Sequence, residues 1–293
     1  MLVNNQIEIT SYLNSILSKT NNRFFNIHSV FNKTVNFYDG EILLTFTSPG
    51  VQLSPTNIVI NESWLFNSVH NLSQNSVCEL NYPLLSFNSA YDRFSVSLET
   101  CYVVKTEIET HHKLSEKDIE LFKSNVFKVI DNRNSILNIF NNHPTEDPLM
   151  ERFRIITLSI QKSITANDST NLRKEVTKLL GLGTGLTPAG DDFLYGLLAV
   201  WKTLGGRENF VVELETLIIE NKNEIGIISY NMLNALIKNH IYLPLKYLFR
   251  QINSGKEYTR ELSEIATFGS SSGADMIAGL LFGLENQGYK IEA

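Results

Sequence analysis

The first seventeen residues carry a short amphipathic start, with Ile7, Ile9, Leu13, Ile16 and Leu17 as its apolar positions. Residues 24–104 then read as strands: FFNIHSVF, KTVNFY and EILLTFT are β-prone runs, and Asp39-Gly40 between the last two predicts a type I′ hairpin. Turn residues at Ser48-Pro49-Gly50 and Ser54-Pro55-Thr56 precede NIVI, and FSVSLETCYVVKTEI has the length and β-branched content of a long strand or hairpin. From Ser115 the period becomes helical. Ser115-Glu116-Lys117-Asp118 is a capping-box pattern followed by Ile119, Phe122, Val126, Val129 and Ile130, and this helix is expected to end by Asn132. The stretch Asn141-Asn142-His143-Pro144-Thr145-Glu146-Asp147-Pro148 has two prolines and no apolar period, which marks a linker. Beyond it, segments 149–165, 170–180, 188–204, 209–221, 225–238, 242–252, 258–266 and 273–285 all read as helices. The expected class is therefore α+β. Residues 1–145 form a mostly-β, barrel-like domain with one or two helices, and residues 146–293 form an all-α domain.

Composition narrows the function. The chain has 293 residues, and 25 Lys and Arg against 31 Asp and Glu give a formal charge of −6, so no overall positive field exists to hold a polyphosphate backbone. Nucleic acid is excluded as an expected partner. The longest apolar run, Phe193 to Trp201, falls far short of the about 20 residues that span a bilayer, so no membrane segment is expected. The start lacks the basic and apolar regions of a secretory signal, and Cys78 and Cys101 form no CxxC pair. Free thiols in a reducing cytoplasm fit both observations.

The chemistry concentrates in GLGTGLTPAGDDFLYGLLAVW, residues 181–201. Gly181, Gly183 and Gly185 alternate, which calls for backbone at positive φ or in very close approach. Thr187 is expected as N-cap of the next helix and Pro188 as its first residue, with Asp191 and Asp192 in the first turns. A P-loop would need a Lys after its second glycine, and a dinucleotide fingerprint a third glycine where Pro188 stands. Neither motif is present. A tight helix–helix turn remains the simpler alternative to a ligand loop.

A second stretch repeats the first. Gly190-Asp191-Asp192-Phe193-Leu194-Tyr195-Gly196-Leu197-Leu198 aligns without gaps on Gly273-Ala274-Asp275-Met276-Ile277-Ala278-Gly279-Leu280-Leu281, and a hydroxyl-bearing segment precedes each. We expect the two helices to pack through their glycines, with a Thr/Ser cluster and Asp191, Asp192 and Asp275 around one pocket. Helix N-termini bind anions. Carboxylates beside an anion cost Coulomb energy, so either a divalent cation such as Mg²⁺ bridges them or they accept N–H bonds from an amide or carbamoyl group. The alternative is that the aspartates are satisfied first-turn caps.

Ser229 lies amid apolar residues in IISYNML, where a bond to its own helix backbone competes with a ligand role. The six histidines show no metal-ligand spacing, and no GxSxG elbow or Cys–His signature supports nucleophilic catalysis.

GLGTGLTPAGDDFLYG, the ISYNML segment and SSSGADMIAGLLFGL are similar in order and spacing to the landmarks of the bacterial family that contains the AllH-type subunit of oxamate carbamoyltransferase. HSVFNKTVNFYDGEILLTF resembles the start of that family. The pattern departs at Ala189, usually Ser, and at Ser270, often His. The resemblance implies a part in anaerobic allantoin and purine breakdown, by phosphorolysis of oxalurate to oxamate and carbamoyl phosphate or the reverse transfer. It implies partner subunits, one of them similar to an acyl-CoA synthetase, and leaves a homo-oligomer open. Gly183, Thr184, Gly185 and Thr187 would then hold the anion of a small carbamoylated metabolite, with Ser229 at the second landmark. Asp191, Asp192 and Asp275 would orient its amide or a Mg²⁺, and Ser271 and Ser272 would add donors. A non-catalytic metabolite-binding or regulatory subunit is the alternative.

Overall fold

The structure is a computed structural model that describes residues 2–3, 7–88, 93–130, 135–141 and 146–287. The chain divides into two compact units, Met1–Glu107 and Ile108–Ala293.

Among the described residues, the first unit is built on ten strands: β1 (Leu2–Val3), β2 (Ile7–Thr10), β3 (Asn21–Phe31), β4 (Thr34–Tyr38), β5 (Leu43–Thr47), β6 (Asn57–Ile60), β7 (Val77–Asn81), β8 (Leu84–Asn88), β9 (Arg93–Ser97) and β10 (Tyr102–Val104). They join one curled half-barrel sheet in the order β1-β9-β8-β7-β3-β4-β5-β6-β2-β10. Alternation along β4, β5 and β8 sends Phe37, Phe46 and Phe87 to the same face, where their rings meet edge to face at 5.3–5.7 Å. Two helices, α1 (Ser11–Leu17) and α2 (Ser63–His70), add Leu13, Leu17, Leu65, Phe66 and Val69 to this core.

Three local expectations change. The Asp39-Gly40 turn is wider than a two-residue hairpin, because the Asp39 carboxylate accepts from the N–H groups of Glu41 and Ile42 and holds four residues between β4 and β5. The long strand or hairpin expected from FSVSLETCYVVKTEI is instead two strands that do not pair with each other; β9 lies on β8 and β10 lies parallel to β2. Residues 63–70, read as part of the strand region, are helical. Cys78 and Cys101 are both free thiols.

The second unit is helical. It contains α3 (Glu116–Val129), a 3-10 turn (Ile136–Asn141), α4 (Pro148–Ala166), α5 (Ser169–Thr177), α6 (Ala189–Leu204), α7 (Glu208–Glu220), α8 (Ile227–Ile237), α9 (Leu243–Asn253), α10 (Thr259–Ala266) and α11 (Ser272–Glu285). Ser115 and Asp118 close the predicted capping box on α3. That helix, expected in the first domain, buries Ile119, Phe122 and Val126 in the helical core instead, which moves the compact boundary well before residue 145. Of the expected linker, 142–145 lie outside the described residues. No helix among the described residues is long and apolar enough to cross a membrane.

Helices α6 and α11 form the centre of this unit, buried along almost their whole lengths. A Cβ built on Gly196 would stand 2.0 Å from the Met276 carbonyl oxygen and 2.9 Å from Leu280 N. One built on Gly279 would stand 2.0 Å from the Phe193 carbonyl oxygen and 2.9 Å from Leu197 N. Phe193 and Leu197 align with Met276 and Leu280 in the repeat, so the two contacts are reciprocal, and with Val200 and Trp201 against Gly283 and Thr187 against Ser272 the helices run parallel. Both N-termini therefore meet at one end.

Candidate functional site

The glycine loop connects α5 to α6 and is held at both ends. Gly181, Gly183 and Gly185 all take positive φ (66°, 124° and 94°), as expected. At Gly183 this is also a packing demand, since a Cβ there would lie 2.7 Å from the Ala189 N. Pro188 caps α6 at φ −56°, ψ 143° and Ala189 is its first residue, one position later than expected. Thr187 consequently makes no cap bond. Its hydroxyl instead meets the Ser272 hydroxyl at 2.8 Å, joining the starts of α6 and α11.

The three aspartates are buried here with different partners. Asp191 Oδ1 accepts from Gly181 N–H at 2.7 Å and Oδ2 from Gly226 N–H at 3.0 Å, so this carboxyl ties the start of the loop to the start of α8. Asp275 Oδ1 accepts from the Ser135 hydroxyl at 2.7 Å and from Ile136 N–H at 2.9 Å, which fastens the 3-10 turn to α11. Asp192 is 2 % exposed and its Oδ2 has no hydrogen-bond partner. The Ser272 hydroxyl is close enough to ease the charge on Asp192 but leaves that oxygen unbonded. Ser229 is similar: buried, near enough to Asp191 to ease its charge, yet outside hydrogen-bond geometry.

Burial raises the pKa of all three. Asp191 is pushed up to about 6 by desolvation, against the pull of the Gly181 and Gly226 N–H groups. Asp192 is pushed well above the usual carboxylate range by its burial, moderated by Ser272 and reinforced by the neighbouring Asp275 and Asp191. Asp275 also rises by burial, offset by Ser135, Ile136 and Ser271. None of these shifts is caused by a nearby cation. Side-by-side parallel helices bring two positive dipole ends together, and the buried carboxyls lie where those ends favour negative charge.

The sequence-predicted residues thus separate. Thr187, Ser271, Ser272, Asp192 and Asp275 lie at the joined helix starts; Gly183, Thr184 and Gly185 lead into them, with Thr184 and Gly185 exposed; Ser229 sits beside Asp191 at α8. The aspartates do not fit a Mg²⁺ site. Asp191 and Asp275 accept from N–H or O–H donors, and no group of three or more His, Cys, Asp or Glu among the described residues is placed to hold a metal. Ser135 and Ile136 were missed, and no local pattern announces them. Gly226, the second residue held by Asp191, was legible only as a helix start.

A strand unit followed by a helical unit whose two central helices start together beneath a glycine loop defines the class of this α+β protein. The chain belongs to the AllH family: residues 179–284 match the family described as oxamate carbamoyltransferase subunit AllH, and residues 5–104 match the AllH family N-terminal domain. The second match falls within the strand unit, and the first contains the glycine loop, the α8 start and the α11 start. As a subunit family, it places the chain in a multi-subunit assembly. No solved structure is significantly similar to it.

Proposed function

We propose that the chain is the subunit of a carbamoyltransferase that binds a small carbamoylated acid at the joined starts of α6 and α11. The reaction is phosphorolysis of oxalurate: a phosphate oxygen attacks the carbamoyl carbon, the bond from that carbon to the oxamate nitrogen breaks, and the phosphate proton passes to the nitrogen, giving oxamate and carbamoyl phosphate. The reverse transfer uses the same site. It belongs to cytoplasmic allantoin and purine breakdown, with a partner subunit similar to an acyl-CoA synthetase.

The observation that carries this reading is the Thr187–Ser272 hydroxyl pair at two helix starts, beside a buried carboxyl with a free oxygen. Gly183, Thr184, Gly185 and Thr187 take the anion, Ser271 and Ser272 donate, and Asp192 orients the amide. Ser229 adds a hydroxyl at the α8 side. Asp191 and Asp275 hold the frame, because their hydrogen bonds already tie other segments to it. Catalysis here is electrostatic positioning. A metabolite-binding regulatory subunit is the second reading.

Carbamoyl phosphate formation from oxalurate and phosphate, assayed with the partner subunits and with the chain alone, separates the two. The complete assembly should be active, and Thr187→Val should lower its rate by about a hundredfold. An inactive complete assembly containing a chain that binds oxamate establishes the regulatory reading instead.

A further inference from the structure

Two helices of the second unit are apolar on both sides. Helix α7 buries Phe210, Leu214, Leu217 and Ile218 in the core, yet Val212 and Ile219, two turns apart on one stripe, are 61 % and 51 % exposed. Helix α4 buries Phe153, Ile156, Ile160 and Ile164, while Ile155 and Leu158, one turn apart on its outer side, are 57 % and 45 % exposed. Apolar residues scattered singly over a surface need no explanation. A pair aligned along the outer stripe of a helix that already packs by its other side is what a docking face presents.

Charge distinguishes the two faces. The thirteen residues of α7 include Glu208, Glu213, Glu215 and Glu220 and no cation. Arg173 of α5 pairs with Glu213 and Glu220, and Lys202 of α6 pairs with Glu215, which leaves Glu208 exposed one turn from Val212. Around Ile155 and Leu158 the balance is reversed. Arg152, Arg154 and Lys162 are exposed there, and the only carboxylate of α4 is Glu151, which pairs with Arg154.

We propose that the α4 face of one chain docks on the α7 face of a second copy, aliphatic pair against aliphatic pair, with Arg152 and Lys162 toward the glutamates of α7. Two α4 faces brought together would oppose cations, and two α7 faces would oppose carboxylates, so neither face matches itself. Both are exposed, so they do not meet within one chain. The contact is consequently head to tail: each copy keeps one face of each kind to offer, and the assembly grows until it closes into a ring. This association is independent of the reaction proposed above.

Sedimentation velocity of the full chain at rising concentration tests it. The wild type should form species larger than a monomer, and salt raised from about 0.05 M to about 0.5 M should weaken that association severalfold. Leu158→Glu and Val212→Lys each place a charge in the contact opposite charges of its own sign, and each should weaken self-association by about a hundredfold. Both positions are exposed, so thermal melting of either variant should match the wild type. Mixed together, the two variants should associate again, because the first retains an intact α7 face and the second an intact α4 face. A wild type that stays monomeric, association indifferent to salt, or variants that fail to pair on mixing overturns the proposal. A monomeric wild type that joins the complete assembly of subunits, and loses its place there in Val212→Lys, gives the α7 face to a different subunit and overturns it equally.

Discussion

Gly196 lies against the backbone of Met276 and Leu280, while Gly279 lies against that of Phe193 and Leu197, so each glycine makes room for the other's helix. This reciprocal contact sets the distance between α6 and α11 and brings their N-termini, Thr187 and Ser272 included, to one place.

Gly279→Ala should therefore be severely destabilising. A methyl group 2.0 Å from a carbonyl oxygen cannot be accommodated by a rotamer change, because the obstacle is backbone. We expect a loss of about 3 kcal/mol or more, well beyond an ordinary overpacking substitution. Gly185→Ala, with nothing near the added methyl and only its positive φ to strain, should cost about 1 kcal/mol. Urea denaturation of the two variants measures the difference, and equal losses would show that the helices separate without penalty.

Asp191→Asn tests the tie between the loop and α8. The substitution leaves an amide NH₂ facing one of two N–H donors, at Gly181 or Gly226, where no other acceptor is at hand. A loss of about 1–3 kcal/mol is expected, with faster hydrogen exchange at both glycine amides. Exchange that is unchanged at Gly181 and Gly226 would remove Asp191 from this role.

The buried carboxyls give stability a pH dependence opposite to that of ordinary acid unfolding. Asp191, Asp192 and Asp275 have raised pKa values in the fold, so the folded state holds their protons more tightly than the unfolded chain does. The stability associated with the neutral forms is complete below the unfolded carboxylate range and is lost as pH rises, through about 6 for Asp191. Glu109 acts in the other direction. The Arg250 hydrogen bond holds it down to about 2, so its contribution exists above the ordinary carboxylate range and disappears as pH falls toward that value. Being partly exposed, it contributes modestly. Asp192→Asn should consequently gain stability relative to wild type between about pH 4.5 and about pH 8. Urea denaturation at both pH values checks this, and a constant difference would mean that Asp192 ionises as it does in water.

Much of the helical unit was legible because its segments carry the 3.6-residue period that burial on one side imposes; α4 to α11 begin and end within a few residues of their expected limits. The glycine packing of α6 on α11 was legible from the repeat itself. Less visible was what depends on side chains reaching across the sequence. Helix α2 hides in Ser63–His70 because its apolar signal is short: three adjacent residues, Trp64, Leu65 and Phe66, with Val69 alone completing a helical spacing to Leu65 and Phe66. The Asp39 carboxylate reshapes a turn that its dipeptide alone would make tighter. At the site, the residue types were readable but their division of labour was not. Asp275 finds Ser135 at a separation of 140 residues, and nothing near either one signals the bond.

The 3-10 turn beginning at Ile136 works as a clasp on α11. Ile136 and Leu137 are buried in the helical core, which holds the Ser135 and Ile136 donors against Asp275 at a high effective concentration. Two acids at equivalent positions of one repeat thus come to differ: Asp275 keeps a tethered partner, and Asp192 has one oxygen left without any.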